Sequence, residues 1–175
     1  MPTAYATNSD PSVTVRDCEP HDLDVVHALH VDAVLHSTAI WQDEPHPRPW
    51  FDVWLADRRA DGFPVLVADV DGVVAGYATY SGFRPHAGYR HTVEHSVYVV
   101  ERFRGRGVAT VLMDALVARA RTDGHHVLMA GICSSNTGSI ALHERLGFET
   151  VGVLPEVGRK FDRWLDLTLM RLPLD

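Results

Sequence analysis

The sequence predicts a single α/β domain, and three observations carry that expectation. The chain has 175 residues, 46% of them hydrophobic, the size and apolar content of one core. Short β-branched runs alternate with segments whose apolar residues recur every three or four positions, the pattern of strands interleaved with amphipathic helices. No repeat, linker or low-complexity block divides the chain.

Residues 1–12 hold Pro, Ser, Thr, Asn and Asp without periodicity and read as a flexible N-terminal extension, so the domain is expected over 13–175. Val13 to Val15 alternates as a short strand. Pro20 and Asp22 introduce a helix with Leu23, Val26, Leu29 or His30, Ala33 and Val34 at helical spacing. A Pro-broken stretch from Glu44 to Pro49 separates it from a second helix, whose apolar residues Trp50, Phe51, Trp54 and Leu55 precede a stop at Gly62. Pro64 to Val70 and Val73 to Tyr80 are β-rich and flank Asp71-Gly72, a strong two-residue hairpin signal. After a loop from Gly82 to Gly88 comes a strand from Thr92 to Val100, then a basic Gly-containing turn and a helix from about Val108 to Arg121. Val108, Leu112, Leu116 and Ala120 form its inner stripe. Gly124 ends that helix, Val127 to Ile132 reads as a buried strand, and Asn136 to Leu146 as a helix stopped by Gly147. Two last strands are expected near Phe148 to Val153 and Trp164 to Leu172.

Charge and composition narrow the function classes. Sixteen Lys plus Arg against 23 Asp plus Glu give a net charge of -7, which argues against an electrostatic nucleic-acid binder. No apolar run approaches the roughly 18 to 20 residues that span a bilayer, and the opening residues lack a secretion signal, so a cytoplasmic protein without a membrane partner is expected. Cys18 and Cys133 are too few for a disulfide framework and read as free thiols. The 11 histidines are scattered without paired ligand spacing, and no metal site is expected. Lys160 is the only lysine beside 15 arginines, a bias from which no function is read.

The most informative segment is Arg102-Phe103-Arg104-Gly105-Arg106-Gly107-Val108-Ala109-Thr110, where a strand ends and a helix begins. Glycines there let backbone N–H groups approach an anion, and the helix N-terminus adds unpaired donors. The segment suits a pyrophosphate; it lacks the Gly-Lys-Ser/Thr of a Walker loop, and a solvated glycine turn is the plainer alternative. A second segment, Asn136 to Phe148, opens the next helix. Asn136 suits an N-cap or a ligand contact, Ile140, Leu142 and Leu146 read as core, and Asn136, Ser139 and His143 remain as candidate site residues.

The R-x-x-G-x-G turn followed thirty residues on by N-x-x-S-I-x-L-H-x-R-L-G-F resembles the GNAT superfamily of acetyl-CoA-dependent N-acetyltransferases. Ala39-Ile40-Trp41, Gly76-Tyr77-Ala78 to Arg84-Pro85, Thr92 to Val99, Val157 to Phe161 and Arg163 to Asp166 extend the likeness to the phosphinothricin and methionine sulfoximine or methionine sulfone acetyltransferase branch. The resemblance implies a mixed central sheet flanked by helices, with its fourth strand, Thr92 to Val100, splayed from its fifth, Val127 to Ile132. It implies acetyl-CoA in the splay, held by Val97, Tyr98 and Val99 through backbone groups, by Gly105, Arg106, Gly107, Val108, Ala109 and Thr110 around the pyrophosphate, and by Asn136. It places a small amino-acid acceptor against Arg84, Pro85, His86, Glu94, His95 and Ser96, and it implies a homodimer in which the C-terminal strands contribute.

For such an acceptor Arg84 offers a bidentate cation to the carboxylate and Glu94 a base for the ammonium, giving direct acetyl transfer without an acyl-enzyme. His143 stands where many relatives carry a tyrosine that protonates the departing thiolate, and is the candidate acid. Cys133 has no identifiable base partner and is not expected to act as a nucleophile. Trp41, Phe83, Tyr89, Phe161 and Trp164 are candidates to shape the pocket, with core or dimer contacts the alternative for the last two. Acetylation of another small amine or a protein N-terminus, or acyl-CoA sensing without catalysis, remain the competing readings.

Overall fold

In the computed structural model, which describes residues 13–175, seven strands form one sheet in the order β1-β2-β3-β4-β5-β7-β6. The expected N-terminal extension, 1–12, lies outside the described residues. The strands are β1 (Val13–Asp17), β2 (Val65–Val70), β3 (Val73–Gly82), β4 (Thr92–Val99), β5 (Val127–Cys133), β6 (Glu149–Lys160) and β7 (Arg163–Pro173). Four helices cover them: α1 (Leu23–His36), α2 (Trp50–Ala60), α3 (Val108–Thr122) and α4 (Thr137–Arg145). Every neighbouring pair is antiparallel except β4 and β5, which run parallel, so the sheet is mixed as expected.

The helices divide between the two faces according to their apolar stripes. Val108, Leu112, Leu116 and Ala120 of α3 are buried against Ala68, Ala78, Val93 and Leu128 on one face, where Ile140 and Leu146 of α4 also pack. On the other face Leu23, Val26 and Leu29 of α1 meet Phe51 and Leu55 of α2 over Val65, Val67 and Tyr77. Strand β2 is therefore buried on both faces, which is why Val65 to Ala68 are consecutive apolar residues rather than an alternating set, with Asp69 the one polar, partly exposed position. Its hairpin to β3 turns at Asp71 and Gly72, both at positive φ, and the Asp69 carboxylate accepts the Gly72 N–H at 2.7 Å.

Strands β3 and β4 pair over seven residues, from Gly76 opposite Val99 to Gly82 opposite Val93. Strands β4 and β5 pair over three, Thr92 to Glu94 against Val127 to Met129. Beyond Glu94 the two strands part, and the splay implied by the resemblance is present.

The C-terminus departs from the expected elements. Strand β6 does not stop near Val153 but continues to Lys160, forming a long hairpin with β7 through Phe161 and Asp162, both at positive φ. Two register shifts, at Thr150/Gly152 and Leu154/Gly158, interrupt the pairing and erase the period-two alternation that marks a strand in sequence. Glu156, at φ 52, sits in the second irregularity with its N–H donated to the Asp166 carboxylate. Leu142 also departs from its expected core position and lines the groove described below.

Gly76 leaves no room for a side chain between β3 and β4: a Cβ there would lie 2.5 Å from the Tyr98 carbonyl oxygen. The obstacle is backbone, which cannot swing aside. We expect Gly76→Ala to destabilise the fold by about 2 kcal/mol or more, measured by urea unfolding, and an unchanged midpoint would show that the strands can part there at no cost.

Candidate active site

The parting of β4 from β5 opens a groove of about 710 Å³ between α1, β4, the α3 turn and α4. Val97, Tyr98, Val99, Gly105, Gly107, Val108, Ala109, Thr110 and Asn136, all expected cofactor residues, line it. Arg106 does not, and its guanidinium lies over the Phe103 ring at 5.8 Å. The wall that sequence reading missed is α1 and the turn after it, with Asp32, Ala33, Ser37 and Ala39. Asp32 and Ser37 carry no sequence cue, Ala33 reads as part of the apolar stripe of α1, and Ala39 stands in the Ala39-Ile40-Trp41 segment of the resemblance without a site role attached to it.

Backbone direction in β4 follows from its pairing. The Val100 N–H donates to Ala75 and the Thr92 carbonyl accepts from Phe83, both on the β3 side, so even-numbered residues turn their backbone groups to β3. By strand alternation Val97 and Val99 turn theirs into the gap. The Val99 carbonyl there accepts from Arg104 Nε at 3.2 Å. An extended ligand bearing amides would find a strand edge to pair with.

At the end of the groove the chain enters α3 through Gly105 and Gly107, at φ 74 and 78. These left-handed conformations favour glycine, and no protein atom lies within 4 Å of where either Cβ would stand. The first partnered amide of the helix is Val111, which donates to Gly107 at 3.1 Å, leaving the N–H groups of Val108, Ala109 and Thr110 directed out of the helix end. Arg102 and Arg104 add positive charge, with Arg102 stacked on Phe103 at 4.9 Å. Open N–H groups, a helix N-terminus and arginines in one concave turn are the donor set that a pyrophosphate needs, and acetyl-CoA fits the groove on this ground.

A smaller cavity of about 110 Å³ lies in the splay itself and is lined by His95, Ser96, Gly131, Cys133, Ser139 and His143 among others. His95 and His143 stack at 5.0 Å with Phe148 edge-on to both. His143 Nδ1 lies 2.7 Å from the Ser139 carbonyl, which can only accept, so that nitrogen carries the proton. His143 Nε2 then accepts from His95 Nε2 at 3.0 Å, and the His95 Nδ1 lone pair is buried without a partner. Burial disfavours the charged ring in both, holding His143 below the usual imidazole range and His95 down at about 3. Asn136 caps α4 by accepting the Ser139 N–H at 3.1 Å, which leaves its amide NH₂ for the groove. At Cys133 burial works to raise the thiol pKa, but hydrogen bonds from Ser135 and Thr38 outweigh it and the result is lowered.

Glu94 sits at the last paired position of β4. Its Oε1 would lie 3.0 Å from a Cβ on Gly131, so β5 makes room for this carboxylate by having no side chain there. Burial raises the Glu94 pKa, and Arg84 pulls it partly back. Arg84 itself lies exposed on the β3–β4 connection, stacked on Phe83 at 4.7 Å, with Tyr89 edge-on to the same ring. Pro85 and His86 are exposed on that loop, and none of Arg84, Pro85, His86 and Glu94 lines either cavity. His95 and Ser96 both line the small cavity, with the His95 ring stacked on His143 of α4. Trp41 packs on Gly158, and Phe161 and Trp164 are exposed.

Comparison with known proteins bears on the same groove. Residues 27–148 match the profile described as the Acetyltransferase (GNAT) family. The chain is 49% identical over 165 residues to an L-methionine sulfoximine/L-methionine sulfone acetyltransferase of Pseudomonas aeruginosa, covering 94% of this chain and 96% of the relative. It is 37% identical to a phosphinothricin N-acetyltransferase of Alcaligenes faecalis over 93% of this chain and 83% of that one. Among solved structures, an acetyltransferase of Salmonella typhimurium with its cofactor acetyl-CoA superposes with a TM-score of 0.91 at 44% identity, covering 93% of this chain and 94% of that one. With the profile spanning most of the chain and such relatives along nearly all of it, the chain belongs to the GNAT family of acetyltransferases.

Proposed function

We propose that the protein acetylates the α-amino group of a small amino-acid analogue, with methionine sulfoximine, methionine sulfone and phosphinothricin as the candidate acceptors and detoxification as the consequence. The observation that carries this reading is the half-buried Glu94 carboxylate at the point where β4 leaves β5, near enough to the Arg84 guanidinium for that charge to lower its pKa. The names of the relatives supply the acceptor class.

Acetyl-CoA supplies the acetyl thioester. Gly105, Gly107, Val108, Ala109 and Thr110 hold its pyrophosphate, Arg106 adds charge beside that turn, and Val97, Tyr98 and Val99 align its pantetheine arm. Asn136 contributes a side-chain amide. Arg84 binds the acceptor carboxylate, with Pro85 and His86 shaping its loop and His95 and Ser96 flanking Glu94 on β4. Glu94 takes a proton from the acceptor ammonium, directly or through water, because an ammonium has no lone pair with which to attack. An N–H group turned into the gap polarises the thioester oxygen. No acyl group is placed on the protein.

His143 has its proton committed to Ser139 and its other nitrogen to His95. As the neutral tautomer its single proton is already donated to the Ser139 carbonyl and none faces the groove, so the geometry supports it as the residue that locks α4 against β4 rather than as the thiolate's acid. Two further features enter the reading. Val153, Val157, Phe161 and Trp164, each at least half exposed, lie on the β6–β7 hairpin and suit a homodimer contact. The buried free thiols Cys18 and Cys133 suit the reducing cytoplasm.

The primary test is CoA release with acetyl-CoA and a panel of the three analogues, ordinary amino acids and a short peptide. Turnover of one of the three is expected; turnover of the peptide alone transfers the function to protein N-termini, and silence throughout with retained CoA binding makes the protein a sensor. Glu94→Gln is expected to lower kcat by about 10²-fold or more while acetyl-CoA affinity holds. A carboxyl with raised pKa is lost as a base when pH falls through that raised value, so kcat falls on the acid side. Arg84→Met removes the opposing charge, and its acid limb should move to higher pH as acceptor KM rises; an unmoved limb separates Arg84 from Glu94. For His143→Gln, kcat within about tenfold of the parent is expected, and a larger loss with the alkaline limb gone would return the acid role to this residue.

A further inference from the structure

The C-terminal hairpin carries a contact that the chemistry above does not use. Lys160 ends β6 with only 5% of its surface exposed, yet its partners are carbonyls rather than a carboxylate. Its Nζ donates to Ser37 at 2.7 Å, to Ala33 at 3.4 Å and to Ile40. An ammonium has three donors on a compact head, and here three acceptors meet them. Ala33 lies in the last turn of α1, whose carbonyls lack intrahelical partners, and a cation is favoured at that end of a helix.

Two residues away on the same strand, Gly158 supports the turn in a second way. A Cβ on Gly158 would lie 2.1 Å from Trp41 Cε3, so the indole rests flat on bare backbone. Trp41 Nε1 in turn donates to the Thr38 carbonyl at 2.9 Å. Lys160 and Gly158 thus grip one short segment, residues 37–41, from below.

That segment roofs the place where the two cavities meet. Ser37 and Ala39 line the large groove, Ala39 also lines the small cavity in the splay, and Thr38 reaches the Cys133 thiol on the far wall. A displacement of the turn would move the wall that the two cavities share at Ala39 and leave the glycine turn before α3, on the other end of the groove, where it is.

We propose that Lys160 is a positioning residue, whose ammonium, together with the Trp41 seat on Gly158, holds the 37–41 turn as the roof over the acyl-transfer point. The proposal rests on the reading of the splay as that point. It assigns the β6–β7 arm a part in acceptor binding that does not require any of its residues to touch the acceptor.

The test compares Lys160→Met, which keeps chain length but removes every donor, with Gly158→Ala, which unseats Trp41 without changing charge. In both, acceptor KM for methionine sulfone, or for whichever acceptor the panel selects, should rise about tenfold or more, while the Kd of CoA stays within about twofold. An unchanged acceptor KM in both folded variants overturns the proposal, as does a loss confined to CoA affinity. Glu94→Gln runs beside them: full kcat in that variant means that the reading of the site fails, whereas lost kcat there with an unmoved acceptor KM in the other two means that the Lys160 assignment fails. Should Lys160→Met not fold, the parent protein still answers. Lys160 is the only lysine, so amine-directed methylation reports on it and the amino terminus alone. Labelling of Lys160 that slows further with CoA and acceptor bound is expected, and labelling indifferent to both ligands overturns the proposal.

Discussion

Two neighbouring parallel strands that keep their ladder for three residue pairs and then separate leave one strand with backbone groups facing nothing, and the features of this site depend on that separation. An unpaired N–H or carbonyl away from water is costly, so the gap must be filled by solvent or by a ligand that bears amides of its own. Gly131 stands two residues beyond Met129, the last residue of β5 paired with β4, and leaves the space into which the Glu94 carboxylate reaches. The same widening admits the groove between α1 and α4. A fully paired sheet would have neither an open strand edge nor room beside it for the half-buried Glu94 carboxylate.

Charge is arranged along this opening in a consistent direction. One end holds the N-terminus of α3, its unpartnered amides and the arginines of the turn, an environment for a polyanion. The other end holds a carboxylate whose burial makes it hold its proton more tightly, which strengthens it as a base once ionised. Between them the histidine pair is kept neutral by burial, so the middle of the site carries no competing cation.

The C-terminal hairpin supports the site from outside. Its register shift between Leu154 and Gly158 re-aims the strand so that Gly158 and Lys160 face inward to the turn after α1, while Val153 and Val157 face out. One strand therefore serves a surface that suits a second copy and a contact that shapes the active-site roof.

The fold was largely legible in the sequence because its cues are local. Apolar spacing marked all four helices, Asp71-Gly72 marked the hairpin, and the glycines before Val108 marked the left-handed turn into α3. What the sequence determined by itself was the α/β order, the inner stripe of α3 and the glycine turn that leads into it. The groove's α1 wall, the His95–His143 tautomers, the seat of Trp41 on Gly158 and the capture of Ala33, Ser37 and Ile40 by Lys160 were decided only in the tertiary structure. Each joins residues from distant parts of the chain, and a bulged strand hides which of its side chains point inward, since a shift of one residue exchanges the two faces.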